Sequence, residues 1–327
     1  MRILVLGTQL SNIGNGIISR GAVAAVKRAF PDAEVIHSSA FSYYLADVAV
    51  ENGGDERLRR NSVAVGDFLE PDVALFSGCI LYPHPLRRHL PLLKRLDREG
   101  IPIGFLGVGG NDYEAETVSM VTDFLSKIDP EILTTRDQAA YDAYSDAFAE
   151  ATLGIDNGFF ISDWYDPPEA DIEFVVATLD KTEYDVPDTE HPIVRPHHAP
   201  FDLLRDVYEG AGVIGGGLKL GRQVFSPNEL ENAYDALGEG NLFVSDNIKD
   251  YLFFYKNAAR TYTDRVHAAV PALVYGNQVK FSYNTPRAKL FNGVVEEQDR
   301  FYRIAEDETK NRRKRQIEYV RKLSNYI

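Results

Sequence analysis

At 327 residues the chain is long enough for two domains of ordinary size, and with 44% hydrophobic and 26% charged residues it can bury a core in each. Its 35 basic residues stand against 49 acidic ones, a formal net charge of −14 that argues against a general nucleic-acid binder and leaves basic side chains to act locally. The single cysteine, Cys79, excludes an internal disulfide and a multi-cysteine metal site, and no segment approaches the roughly 18 apolar residues of a membrane span, so the cytoplasm is the expected compartment.

The opening MRILVLG is too short an apolar run for a signal peptide and reads as a first strand, residues 2 to 7. GTQLSNIGNGIIS, from Gly7 to Ser19, then reads as a glycine- and asparagine-rich turn before the first helix. It misses the dinucleotide fingerprint, because Ser19 stands at the third glycine position, yet such a turn can still offer backbone amides to an anionic or sugar ligand. Further strands are expected at 33 to 38, 72 to 78, 101 to 109 and 131 to 136, with helices between them, the alternation of a parallel α/β sheet. Leu86, Leu90, Leu93 and Leu96 share one side of a helix that Gly100 stops. Cys79, inside VALFSGCIL, reads as a buried small residue. GVGGNDYE (107 to 114) permits close backbone approach and offers Asn111 or Asp112 as a cap, and TTRDQAAYDAY places Arg136 at a strand end with Asp137 capping the next helix.

SDWYDPPEAD (162 to 171) reads as a linker. A second alternating set follows in DIEFVVATL, PIVRPHH, NLFVSD, ARTYTD and QVKFSYN, and residues 296 to 325 are charged and helix-favouring. Two open α/β domains facing each other place a cleft at the carboxyl ends of both sets of strands. VRPHHAPFD sets Arg195, His197, His198 and Asp202 at one strand end. Adjacent histidines on an extended chain point apart, which disfavours a shared metal. GVIGGGLKLG (212 to 221) is a flexible loop around Lys219 without P-loop spacing.

The stretch TYTDRVHAAVPALVYG carries the sharpest signal. Asp264 ends a strand and is placed to cap a helix from Arg265 to about Tyr275, stopped by Gly276 and distorted in its middle by Pro271. Arg265 and His267 then lie in the first turn, where free amides and the helix dipole favour an anion. A guanidinium can grip a carboxylate or phosphate bidentately, and a histidine can bind phosphate and transfer a proton near neutral pH. Alternatively, Arg265 pairs with a neighbouring acid and His267 is a satisfied core residue.

At these residues the chain resembles the polysaccharide pyruvyl transferase family. The Arg-x-His-Ala hallmark stands as Arg265, Val266, His267 and Ala268, followed by a loose Tyr-to-Lys region in YNTPRAK with Tyr283 and Lys289. NIGN (Asn12 to Asn15), SGCIL, GVGG, TRDQAAYDAY, GIDNGFF with Asp156, and RPHHAPFD are similar to the family's other motifs, in order, across roughly Met1 to Phe291. Two places depart from the pattern. Asn15 stands where an acid is usual, and Ser77, Gly78 and Cys79 stand where glycines run.

The resemblance implies an α/β fold of two Rossmann-like domains facing a cleft, glycosyltransferase-B-like. Residues 1–165 form the acceptor side, 171–295 the donor side and 296–327 a helical tail. It implies transfer of a pyruvyl group from phosphoenolpyruvate to a sugar of a cell-surface glycan or its precursor, with ketal formation. His267 is then the acid and Arg265 a donor-anion ligand, while Arg136, His197, His198, Lys289, Asn12 and Asn15 bind substrate. No metal or redox cofactor is called for. The partners are phosphoenolpyruvate and a glycan or lipid-linked sugar acceptor, and the basic run KNRRKRQ (310 to 316) is either a contact for anionic lipid or a solvated helix face. A nucleotide-sugar glycosyltransferase of the same fold and a non-catalytic glycan-binding relative stay open as alternatives.

Overall fold

The computed structural model describes residues 1–7, 12–39, 65–179, 182, 186–187, 189–198 and 238–327. The expected Lys219 loop and Asp202 lie outside these residues. The first sheet is built from β1 (Arg2–Gly7), β2 (Glu34–Ser39), β3 (Val73–Cys79), β4 (Ile103–Gly109), β5 (Ile132–Thr135) and β6 (Glu150–Leu153), all parallel, in the order β2-β1-β3-β4-β5-β6. The sixth strand, EATL, is short and was not among the expected strands. Because β1 lies between β2 and β3, the chain reverses its winding there, and the crevice of this sheet opens at the carboxyl ends of β1 and β3.

The second sheet runs β12-β13-β11-β10-β7-β8-β9. Its parallel part comprises β7 (Val175–Thr178), β8 (Ile193–Pro196), β9 (Leu242–Phe243), β10 (Arg260–Thr263) and β11 (Val279–Phe281). The antiparallel hairpin of β12 (Val295–Gln298) and β13 (Phe301–Ile304) forms its edge. That hairpin corrects the expectation of a tail helical from residue 296. Asp299 and Arg300 both take positive φ, 53° and 68°, as a two-residue hairpin turn requires, and helix begins only at Glu306.

The helices are α1 (Ile13–Ala29), α2 (Pro83–Arg98), α3 (Ala115–Leu125), α4 (Gln138–Tyr144), α5 (Ile161–Trp164), α6 (Ile248–Asn257), α7 (Val266–Val274) and α8 (Glu306–Lys322). Leucines of α2 and Val121 and Leu125 of α3 seal one face of the first sheet with Phe76 and Phe105. A second apolar cluster runs without a break from Ile17 of α1 through Phe159 and Val270 of α7 to Val279 of the second sheet. The two sheets therefore share a core and are joined by far more than the 162–171 segment.

The helix α8 returns to the first sheet. Its Gln316, fully buried, accepts from the Ile155 N–H at 2.8 Å and donates to Asn157 Oδ1 at 2.9 Å. Arg321 donates to the carbonyl of Ala29, and Lys322 pairs with Glu150. Much of the basic run is engaged within the protein: Arg312 with Glu308, Arg313 with Asp163, and Arg315 with the Leu153 carbonyl. Among the described residues no helix is long and apolar enough to cross a membrane.

One expectation about α1 fails instructively. The helix starts at Ile13 and takes in Gly14 and Gly16, which the sequence suggested for the turn. These glycines serve helix packing. A Cβ on Gly14 would lie 2.9 Å from the His267 Cβ, and one on Gly16 would lie 2.5 Å from Ile248 Cδ1.

Candidate active site

Both sheets direct the carboxyl ends of their central strands at one cavity of about 90 Å³. Asn12, Gly14 and Asn15 of the α1 start line it, with Cys79 at the end of β3 and Arg136 after β5. From the second unit come His198 after β8, Asp264 to His267 after β10, and Tyr283, Thr285 and Arg287 after β11. Of the residues expected from sequence, Arg136, His198, Arg265, His267, Asn12 and Asn15 meet here.

His197 and Lys289 are not among the lining residues. His197 is buried beside β9, where its amide donates to the Phe243 carbonyl and its carbonyl accepts from the Tyr251 hydroxyl. Lys289 is exposed, with its Nζ 5.6 Å from the centre of the Tyr113 ring. His198 turns the other way from its neighbour, as an extended chain dictates, and bonds the Tyr255 hydroxyl. Among the described residues there is no group of three His, Cys, Asp or Glu able to hold a metal ion.

The start of α1 is closed as an anion site. Asn12 caps it, accepting from the Gly14 N–H at 2.9 Å, the Asn15 and Gly16 amides bond the Asn12 carbonyl, and the Ile13 amide crosses to the His198 carbonyl. This last bond stitches the two units together at the mouth of the site. The start of α7 is different. Arg265, with extended backbone, is the cap residue, and Ala268 and Ala269 bond its carbonyl; Val266 and His267 carry the amides for which a helix has no internal acceptor.

The expected cap, Asp264, is otherwise engaged. Its Oδ2 accepts from the amide of Thr182 at 2.9 Å and the Thr182 hydroxyl at 3.2 Å, tying the segment after β7 to that after β10. The distortion expected from Pro271 falls on His267, whose φ of −91° and ψ of 16° leave the helix. The cause is local: Pro271 lacks the N–H that would bond the His267 carbonyl, and its ring crowds that same carbonyl.

Behind the cavity lies a buried charge network. Arg136 is 0% exposed and donates to the Gly110 carbonyl at 3.1 Å; its Nη1 is 3.5 Å from Asp156 Oδ2, and its Nη2 is 3.5 Å from the Cys79 sulfur. Burial disfavours the guanidinium charge, but Cys79, Asp156, Tyr113 and Asp137 around it more than offset this and raise its proton affinity. Asp137 caps α4 through Ala140 as the sequence suggested, and its other oxygen accepts from Tyr113.

Asp156 is also 0% exposed, and its Oδ2 lies 3.4 Å from His267 Nε2. Burial opposes its ionisation, yet His267, Arg136 and the Gly158 N–H together hold its carboxyl below the usual carboxylate range.

Three further features differ from the sequence reading. Cys79 is only half-buried and lines the cavity, with Sγ 3.3 Å from Asn111 Oδ1. Neither Asn111 nor Asp112 caps α3, which begins at Ala115 after Glu114. Instead, Asn111 Oδ1 accepts from Arg287 Nε at 3.0 Å and Nη2 at 2.5 Å, bridging the first sheet to the second. Arg287 was not anticipated; its place on the loop following a strand of the second sheet was the available signal.

Two α/β units whose strand ends bring arginines, a histidine and a helix start to one cavity have the architecture of a two-domain α/β enzyme. The chain belongs to the polysaccharide pyruvyl transferase family, whose sequence profile matches residues 12–279, and it is accordingly a transferase. No curated protein matches the sequence significantly. Solved structures with a similar chain course include S. aureus MnaA with UDP, at 14% identity over 88% of this chain and 81% of that one (TM-score 0.48). They also include UDP-GlcNAc 2-epimerase from Neisseria meningitidis bound to UDP-GlcNAc, at 12% identity over 99% and 94% (TM-score 0.48). A third is E. coli heptosyltransferase WaaC with ADP, at 14% identity over 85% and 86% (TM-score 0.38).

Proposed function

We propose that the protein transfers the three-carbon unit of phosphoenolpyruvate to two hydroxyls of one sugar in a cell-surface glycan or lipid-linked precursor, closing a ketal and releasing phosphate. Family membership supports the reaction class. The observation that carries the residue assignment is the convergence of Arg265, His267 and the α7 start on one cavity that also receives Arg136.

The donor carries a carboxylate and a phosphate. Arg265 and the amides at the α7 start hold these anions, with Arg136 supplying fixed positive charge from below. His267 gives a proton to the methylene carbon, and the adjacent carbon gains oxocarbenium character. A sugar hydroxyl adds there and its proton returns to the imidazole. Phosphate then leaves as the carbon–oxygen bond to it breaks, and the second hydroxyl closes the ring while its proton departs with phosphate. One donor and one diol thus give one ketal and one phosphate, and no step calls for a metal or redox cofactor.

The test is acceptor-dependent phosphate release from phosphoenolpyruvate across a panel of glycans. Arg265→Ala and His267→Ala are each expected to lower kcat/KM by roughly a hundredfold or more. Turnover that requires a nucleotide sugar instead of phosphoenolpyruvate would replace this reading with glycosyl transfer.

A further inference from the structure

We propose that Asp156 is the positioning residue of the site, holding the His267 imidazole by its Nε2 edge while sharing the same carboxylate oxygen with Arg136. The use made of the oriented ring rests on the reading of His267 above; the contact itself does not.

Oδ2 of Asp156 is 3.4 Å from His267 Nε2 and 3.5 Å from Arg136 Nη1, and Oδ1 accepts from the Gly158 N–H at 2.8 Å. The carboxylate is fully buried, so these three partners replace the water it would otherwise bind.

The arrangement is held from all sides by parts of the chain far apart in sequence. Gln316 of α8 bonds both Ile155 and Asn157, the residues flanking Asp156, and Asn157 Nδ2 donates to the Leu106 carbonyl at 2.6 Å. On the histidine side, Gly14 admits the His267 Cβ where any larger residue would collide, and the Pro271 distortion sets the ring's departure from the helix. Neither partner can drift without breaking bonds elsewhere.

Arg136 reaches the cavity from the end of β5, Arg265 from the histidine's own segment, and Arg287 from the loop after β11. Of the acids near the cavity, Asp264 commits its Oδ2 to Thr182 and Asp137 its Oδ1 to the start of α4, whereas Asp156 touches the ring. Asp156 is therefore the carboxylate placed to fix the direction in which the imidazole points.

Asp156→Asn keeps the shape and the Oδ1 acceptor while removing the charge. With phosphoenolpyruvate and acceptor, its kcat is expected to fall about tenfold or more while KM for the donor changes less than about threefold. The imidazole resonances assigned by their loss in His267→Gln are expected to be displaced. Should Asp156→Asn not fold because Arg136 is left buried without enough acid, the double variant Arg136→Gln, Asp156→Asn removes both charges. Its 267 resonances are then compared with those of Arg136→Gln and are expected to be displaced from them. Identical imidazole resonances with and without the Asp156 carboxylate overturn the inference, whatever the activity. A displaced resonance in a protein that does not turn over phosphoenolpyruvate keeps the contact's role and removes the donor reading.

Discussion

Replacing Gly21 by alanine tests the packing that holds the site together. On an exposed helix the change stabilises by about 1 kcal/mol, because glycine loses more backbone entropy on folding. In α1 the opposite is expected. The added Cβ would collide with the Asn157 carbonyl oxygen and sit 2.7 Å from its carbon and 3.3 Å from the Gly158 nitrogen. These obstacles are backbone, so no rotamer change relieves them, and α1 and the 157–160 turn must part.

Overpacking of this kind costs about 1–3 kcal/mol, and the immovable neighbours place it at the upper end. Subtracting the helix gain leaves a loss of about 1–2 kcal/mol, which for a chain of this size lowers Tm by roughly 1.5–3 °C. Thermal and urea unfolding followed by circular dichroism measure it. Because the displaced residues adjoin Asp156, kcat for phosphate release is expected to fall as well. An unchanged or raised Tm would refute the close approach of α1 to this turn.

Three other outcomes follow from buried groups. His37 in β2 has a buried Nε2 without a hydrogen-bond partner among the described residues, and burial, with Arg20 nearby, lowers its pKa from 6.5 to about 4. Between those values the unfolded chain binds more protons than the folded one, so stability is fully present above about pH 7 and falls as pH drops, by about 1 kcal/mol per pH unit near 5.5. Urea midpoints across pH 5–7.5 should show this slope in the wild type and a shallower one in His37→Gln. Gln316→Leu strands the Ile155 N–H and Asn157 Oδ1 inside the core, a loss of about 2–5 kcal/mol readable as a lower urea midpoint. Pro271→Ala restores the N–H facing the His267 carbonyl and is expected to raise or preserve Tm. By redirecting the imidazole it should lower kcat roughly ten- to hundredfold.

Strands such as β1 and β4 were legible because they are buried on both faces and show as short apolar runs, RILVLG and IPIGFLGVG, whereas the half-exposed EATL of β6 was not. Gly100 and Gly276 were legible as helix stops, and both take positive φ, 70° and 92°. The hairpin at 295–304 was hidden, since Asp299-Arg300 is not a typical turn pair and its edge strand, VEEQ, carries two adjacent acids. Gly14 and Gly16 were misread as turn residues because the same absence of a side chain serves a turn or a close helix contact, and only the partner, His267 or Ile248, distinguishes the two.

By itself the sequence determined the alternation of strands and helices, the placing of Arg265 and His267 at a helix start, and the motif order of the family, for these depend on neighbours within a few residues. The tertiary structure alone decided that Asp264 bonds Thr182 instead of capping, that Arg287 reaches Asn111, and that Asp156 lies under His267 across 111 residues of chain. Hydrogen bonds and ion pairs are made by distance in space, and that distance is set by two sheets folding onto a shared core.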